Sequence, residues 1–131
     1  MNYQTMVSDL TGMDISNASL LDEPTSAAEA MMLAKRVAKS KSNTFFVNSK
    51  TFKQTIAIIK SRAKPLGVEI EIGDCPDKEK EYFAAYFQYP NAEGSIEDLE
   101  SVTKDIQAKG GLMIIGTDLL ALTLLKTPGD L

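Results

Sequence analysis

The spacing of apolar residues predicts two helices at the start of the chain. One helical face of residues 2–13 carries the apolar side chains Tyr3, Met6, Val7 and Leu10. Gly12 is a suitable stop for this short helix. Residues 25–41 are strong helix formers without Gly or Pro, which predicts a second helix from about Thr25 to Lys39. Asp22 and Thr25, on either side of Pro24, are its capping residues.

Beyond residue 43 the pattern alternates between strands and helices. The predicted elements are strands over 44–49, 68–74, 81–90 and 111–117, and helices over 50–67, 96–110 with Ser95 as N-cap, and 118–126. The 68–74 segment alternates apolar and charged residues, as an edge strand does. Segment 81–90 is apolar on both sides, as buried strands of parallel sheets are, and we predict that 111–117 is a buried strand as well. We therefore predict an α/β fold with three layers, a mostly parallel sheet flanked by helices, as a single domain over residues 1–131.

Composition and charge exclude several classes of protein. The chain has 131 residues, of which 44% are hydrophobic and 24% charged, so it suits one globular domain and excludes intrinsic disorder. No apolar run approaches the roughly 20 residues of a membrane span. The net charge of −4 offers no basic surface for nucleic acid. We expect no membrane or nucleic-acid partner, and a location in the bacterial cytoplasm or, for a eukaryotic chain, the mitochondrial matrix.

The residues that many enzymes need for catalysis are absent from the sequence. It contains no histidine and one cysteine, Cys75. This excludes a disulfide framework, a histidine metal site, and Ser-His-Asp or Cys-His catalysis. Cys75 lies in an acidic loop, where neighbouring carboxylates disfavour its thiolate, so we expect no nucleophilic role.

Candidate ligand positions follow from the predicted fold. Ligands of open α/β sheets bind beyond the carboxyl ends of strands, which here are the junctions 48–53, 89–95 and 116–121. A further candidate is the start of the second helix around Thr25, where free N–H groups and the positive end of the helix dipole suit an anion. The spacing alone favours an ordinary N-cap there.

Asp118 and Phe52 each have two interpretations. Asp118 follows a strand that we predict to be buried and precedes an apolar segment. It is either an N-cap, which the residue alone favours, or a buried carboxylate that pairs with a cationic ligand group. Phe52 is either a core residue, which is the more frequent role, or a surface on which a ligand ring stacks.

Five segments of the chain together resemble one protein family. They are NYQTMVSDLTGMDISNASLLDE (2–23), TSAAEA (25–30), QTIAIIKSRAKPLGV (54–68), FQYPNAEGSIEDL (87–99) and TDLLALTLLKTPGDL (117–131). They occur in the family's order at compatible spacings and cover nearly the whole chain. The sequence resembles the P-protein of the glycine cleavage system, the decarboxylating glycine dehydrogenase, which uses pyridoxal phosphate (PLP).

This resemblance implies a fold and a reaction. The fold would be the aspartate-aminotransferase-like large domain of fold-type-I PLP-dependent transferases, of which residues 1–131 would form the N-terminal part. The activity would be that of an oxidoreductase, the aminomethyl-transferring glycine dehydrogenase. It releases the carboxyl group of glycine as CO2 and passes the aminomethyl carbon to a lipoylated carrier protein, with PLP as the electron sink.

The resemblance also implies roles for residues at both ends of the cofactor. Thr25, Ser26 and Ala27 would present the helix N-terminus to the cofactor phosphate. Asp118 would pair with the pyridinium nitrogen and keep it protonated. These four residues would hold the phosphate and the ring nitrogen at opposite ends of the site.

Other family positions would surround the cofactor ring. Phe52 would stack on the ring, and Ala121 would pack beneath it, with Leu120 as the rival for that position. Asn91 and Glu93 would lie near the phenolic oxygen. The resemblance implies no metal site.

Three features depart from the family pattern. Phe52 and Lys53 stand where the family usually has His-Pro, so a ring can stack but no proton can be exchanged there. Pro24 stands where the family mostly has Gly, which removes an N–H donor from the phosphate loop. The Schiff-base lysine of such folds lies well downstream of the aspartate, whereas this chain ends 13 residues after Asp118, and Lys126 is a poor substitute.

These departures lead to two hypotheses. The first is a fragment of a glycine decarboxylase with cofactor contacts and negligible turnover alone. The alternative is a non-catalytic α/β scaffold or oligomerisation module, which Phe52 and Pro24 favour. Because a cut sheet leaves unpaired strand edges and uncovered helix faces, we expect the isolated chain to form a tight homo-oligomer or to repack.

Overall fold

The computed structural model describes residues 2–131, which form an α/β fold. In chain order, its elements are α1 (Asn2–Thr11), α2 (Glu23–Val37), β1 (Thr44–Asn48), α3 (Lys53–Ala63), β2 (Glu69–Gly73), β3 (Ala84–Tyr89), α4 (Glu100–Ala108) and β4 (Leu112–Thr117). Short 3-10 turns cover Lys64–Leu66, Ala121–Thr123 and Pro128–Asp130. Within this part of the chain, no helix is long and apolar enough to cross a membrane.

The sheet has four strands, all parallel, in the order β2-β1-β3-β4. All six residues of the inner strand β3 are buried. Alternate side chains enter two cores, because Phe45 and Tyr86 pack with α2 and α3 on one face, whereas Phe46 and Phe87 pack with α4 on the other. The prediction of three layers with a parallel sheet flanked by helices is confirmed.

The two outer strands differ in their agreement with the sequence prediction. β2 is an edge strand, as its alternating residues predicted. β4 was predicted to be buried, but it is the opposite edge, and its residues are half-buried or exposed. That prediction is wrong because an apolar run does not by itself distinguish an inner strand from an edge strand.

Side-chain hydrogen bonds move the starts of two helices from their predicted positions. α2 starts two residues before Thr25, because the Asp22 carboxylate caps the helix by accepting the Thr25 backbone N–H at 2.8 Å. α4 starts five residues after Ser95, so Ser95 is not its N-cap. The Ser95 N–H instead donates to Oδ1 of Asn91 at 3.0 Å, which holds this segment as a loop.

The predicted helix over 118–126 is wrong. Only Ala121–Thr123 form a 3-10 turn in this segment. Leu122 is buried, but Leu120 and Leu124 are 74% and 91% exposed. A helix that is apolar all round needs cover on every side, and here only one side has it.

Gly116 of β4 leaves room for the side chain of Tyr86 on the neighbouring strand. A Cβ atom at residue 116 would collide with the Tyr86 hydroxyl oxygen and would lie 3.0 Å from Oε1 of Gln88. The Tyr86 ring is fully buried, and its hydroxyl donates to Gln88 Oε1 at 2.9 Å. A side chain at residue 116 would therefore displace a buried, hydrogen-bonded hydroxyl.

We expect Gly116→Ala to lower the free energy of unfolding by about 1–3 kcal/mol, the usual cost of overpacking a core. Tyr86→Leu removes the atoms that the new methyl group would strike, so Gly116→Ala should cost less in that background. Urea unfolding of the wild type, both single variants and the double variant measures the difference. An equal cost in both backgrounds would contradict the packing argument.

Candidate functional site

The carboxyl ends of β1, β3 and β4 open into one cleft of about 590 Å³. Its lining residues are Glu23, Phe52, Gln88, Pro90, Asn91, Thr117, Asp118 and Leu119. Three residues singled out in the sequence, Phe52, Asn91 and Asp118, therefore meet in one place, and each follows a different strand. This edge is where ligands of parallel α/β sheets bind.

Phe52 lines the cleft from the start of α3. It is half-buried and belongs to neither of the two cores, so the core interpretation does not apply. The turn before it is fixed by Asn48, whose Oδ1 accepts the Lys50 N–H and whose Nδ2 donates to the Asp74 carbonyl, both at 2.9 Å. The Phe52 ring is thus held at the mouth of the cleft by a hydrogen-bonded turn.

Asn91 is buried and organises the loop that follows β3. Its Oδ1 accepts the backbone N–H groups of Glu93 and Ser95, each at 3.0 Å, and its Nδ2 donates to Glu97 at 3.0 Å. Glu97 also pairs with Lys50 at 3.0 Å, and this hydrogen bond and charge attraction raise the pKa of Lys50. Glu93 itself is exposed and does not line the cleft.

Asp118 lies at the cleft but is exposed, so the expectation that it is buried is wrong. The error follows from β4, which is an edge strand and does not carry Asp118 into the interior. Its Oδ1 accepts the Leu120 N–H at 3.0 Å, which caps the turn that follows β4. Within residues 2–131, its second carboxylate oxygen has no hydrogen-bond partner.

The start of α2 lies beside the cleft. Ser26 and Ala27 line a smaller pocket of about 180 Å³, and Glu23 lines both this pocket and the cleft. The N–H of Thr25 is already engaged by Asp22, and the N–H of Ser26 donates to the Asp22 carbonyl at 2.9 Å. Because Pro24 has no N–H, the first turn of α2 offers an incoming anion the N–H groups of Glu23 and Thr25, and that of Thr25 only if Asp22 leaves it.

Ala121 and Leu120 do not reach the cleft. Both belong to the segment after β4, where Ala121 is half-buried and Leu120 is exposed. Neither lines the cleft or the smaller pocket. The segment forms a turn rather than the helix on which their predicted positions depended.

Sequence reasoning assigned no role to three polar residues that line the cleft, Glu23, Gln88 and Thr117, although Thr117 lies within the 116–121 junction. Gln88 had a signal, because a polar residue in a strand that is otherwise apolar needs a hydrogen-bond partner. Thr117 has a buried Oγ1 without a partner in the described part of the chain. Glu23 had no signal beyond its place in the first turn of α2.

The charge of the cleft favours some ligands over others. Glu23 and Asp118 bring two carboxylates, and no Lys or Arg of residues 2–131 lines the cleft. Carboxylates attract a cationic ring and repel an anion. No group of three or more His, Cys, Asp or Glu in the same range is arranged to hold a metal ion.

The sequence matches one protein family along its whole length. The model of the family described as glycine cleavage system P-protein matches residues 1–131. The chain is 52% identical to the glycine dehydrogenase (decarboxylating) of Rhodopseudomonas palustris (strain BisA53) and 50% identical to that of Stenotrophomonas maltophilia (strain K279a). The alignments cover 99% and 98% of this chain, respectively, and 14% of each relative. The chain therefore spans about a seventh of the length of the curated relatives that it matches.

The fold also has a counterpart among solved structures. It is similar to that of a glycine decarboxylase (P-protein) of the glycine cleavage system, crystallised in an inhibitor-bound form, with a TM-score of 0.87 and 28% sequence identity. The match covers 98% of this chain and 30% of that chain. Nearly all of the fold described above thus has a counterpart in that protein.

We expect Asp22→Ala to lower the thermal unfolding midpoint by a few degrees near neutral pH, because α2 loses the acceptor of its N-cap. Asp22→Asn, which keeps an acceptor, should retain most of the stability. Hydrogen bonds from the side chain and backbone of Thr25 lower the pKa of Asp22. The stability due to its charge is therefore present above the unfolded-state pKa and is lost as the pH falls through the folded-state pKa.

Thermal unfolding of the three proteins across the acidic range measures this effect. The wild type should have a higher unfolding midpoint than Asp22→Asn near neutral pH, and this difference should shrink as the solution is acidified. An advantage that grows in acid would contradict the assigned role of the carboxylate.

Proposed function

The chain belongs to the glycine cleavage system P-protein family, and we propose that it forms part of a PLP-dependent glycine decarboxylase. The whole protein would act on glycine and a lipoylated carrier protein, releasing CO2 and transferring the aminomethyl group. PLP, when bound, supplies an electron sink for this decarboxylation. In this proposal, the cleft at the carboxyl edge of the sheet receives the cofactor ring.

The observation that carries this proposal is the meeting of Phe52, Asn91 and Asp118 in the cleft. The Phe52 ring offers a surface on which a pyridine ring stacks. The unpartnered oxygen of Asp118 can accept the proton of a pyridinium nitrogen in a charge-assisted hydrogen bond. Asn91 uses one N–H of its Nδ2 for Glu97 and keeps the other for the phenolic oxygen.

The phosphate end is supported less well than the ring end. A phosphate at the start of α2 would take the place of the Asp22 carboxylate at the Thr25 N–H. Ser26 and Ala27 would then contribute the helix dipole and a small surface rather than further N–H donors. The residues present therefore fit the pyridine ring, and they fit the phosphate only if Asp22 is displaced.

We expect the purified chain to bind pyridoxine 5′-phosphate saturably in equilibrium dialysis. This alcohol analogue of PLP cannot form imines with surface lysines. Asp118→Asn should weaken binding about tenfold, because the amide lacks the charge that pairs with the ring nitrogen. Asp14→Asn, which changes an exposed aspartate outside the cleft, is the matched control. The proposal fails if the wild type does not saturate, or if both variants lose affinity equally.

A second candidate function is a non-catalytic α/β scaffold. It is favoured by the two carboxylates in the cleft, by the lack of a cationic side chain among the cleft residues of the described chain, and by the Asp22 carboxylate at the α2 start. Under this hypothesis, the chain unfolds cooperatively but shows no saturable binding in the same dialysis. The two functions therefore predict opposite outcomes of one measurement.

We further propose that the purified chain forms a homo-oligomer through the outer edge of β4. The opposite edge, β2, carries Glu69 and Glu71, and charged residues of this kind protect natural edge strands from pairing. β4 has no charged residue and no proline. Its free N–H and C=O groups are thus open to pairing with a second copy of the chain.

Sedimentation velocity at micromolar concentration is expected to show an oligomer for the wild type. Leu112→Lys places a charge on the β4 edge and should shift the protein towards monomer. Ile72→Lys is the matched control on β2, since the two side chains are similarly exposed, at 36% and 38%. A wild-type monomer, or equal effects of both variants, would contradict pairing through β4.

A further inference from the structure

Gln88 is a polar residue in the most deeply buried strand of the sheet. It lies next to the carboxyl end of β3, is only 7% exposed, and lines the cleft. Burial of an amide costs free energy unless its polar atoms find partners. The partners of Gln88 therefore indicate which of its atoms remains for a ligand.

Tyr86 determines the orientation of the Gln88 amide. The Tyr86 hydroxyl is buried above Gly116 and donates to Oε1 of Gln88 at 2.9 Å. Burial, together with the nearby charge of Glu23, raises the pKa of Tyr86, so the hydroxyl keeps its proton and needs an acceptor. With the amide flipped, this proton would face Nε2, which cannot accept it. The stable arrangement holds Oε1 on Tyr86 and leaves Nε2 as the free end.

The Nε2 group of Gln88 has no hydrogen-bond partner within residues 2–131. The other polar side chains around the cleft are mostly acceptors or already engaged, because Glu23 and Asp118 are carboxylates and Asn91 gives one N–H to Glu97. Asn91 and Gln88 are the two amides at the cleft, and Gln88 is the one in which neither N–H of the amide donates to another residue of the described chain. A donor that is open to the cleft, on a side chain whose other end is fixed by a buried partner, suits an oxygen acceptor on a ligand.

We propose that Gln88 binds the ring hydroxyl oxygen of a pyridine ligand in the cleft through Nε2, and that Tyr86 is a positioning residue that holds the amide in the binding orientation. This inference rests on the proposed function, which places such a ring between Phe52 and Asp118. It adds a contact that discriminates between ligands with and without the ring oxygen. Gly116 takes part indirectly, because its lack of a side chain gives the Tyr86 hydroxyl its place.

The test compares two probes, pyridoxine 5′-phosphate and its 3-deoxy analogue, by equilibrium dialysis. Gln88→Met should lose about tenfold in affinity for the hydroxylated probe and none for the deoxy probe. Tyr86→Phe should lower the affinity for the hydroxylated probe about threefold and leave the affinity for the deoxy probe unchanged. In the Gln88→Met background, Tyr86→Phe should not lower either affinity further. Gln54→Met, on the exposed side of α3, is the matched control. A merely structural role would lower the thermal midpoint without changing the preference between probes.

A second measurement uses the wild type alone and does not depend on the folding of variants. The side-chain amide signals of Gln88 in a ¹⁵N-correlated spectrum should shift on titration with the hydroxylated probe and not with the deoxy probe. If the wild type binds both probes equally and these signals do not discriminate between them, the role of Gln88 is overturned while the proposed function stands. If the wild type binds neither probe, the proposed function fails, and the ligand assigned to Gln88 fails with it.

Discussion

The parallel pairing of β3 with both β1 and β4 is the constraint on which the other features depend. Because β3 has a strand on each side and helices on each face, its alternating side chains enter two separate cores. The same pairing aligns the carboxyl ends of three strands. Phe52, Asn91 and Asp118, which are distant in sequence, therefore reach one cleft. The side-chain amide of β3, that of Gln88, is also at this end of the strand.

The pattern of apolar residues along the chain correctly predicted the strands whose burial can be read from their own residues. The apolar run of β3 and the alternation of β2 led to the correct centre and one correct edge of the sheet. The prediction failed where a particular side-chain hydrogen bond decides, because Oδ1 of Asn91 accepts the Ser95 N–H and α4 begins only at Glu100. The position of β4 depends on the neighbours it has, so its predicted burial was wrong, and the error carried over to Asp118.

The candidate site could be located from sequence more readily than it could be described. Strand ends predicted the place, but the partners of each side chain depend on the folded structure. The Asp22 carboxylate occupies the helix start that the resemblance assigns to a phosphate. The Asn91–Glu97–Lys50 contacts connect the loop after β3 to the turn before α3. These bonds hold two walls of the cleft in place without a ligand.

The connection from β2 to β3 has one more consequence. Because β1 lies between these strands, residues 74–83 pass back along the sheet on the α4 face without forming a helix. Tyr82 of this connection packs edge-on against Phe46, with ring centres 5.7 Å apart, and its hydroxyl donates to Glu71 at 2.7 Å. The cover of Phe46 on this side is therefore a loop without a hydrogen-bonded ladder. Local opening of this loop breaks side-chain contacts and turn hydrogen bonds but no strand or helix ladder, so it gives water a route to Phe46.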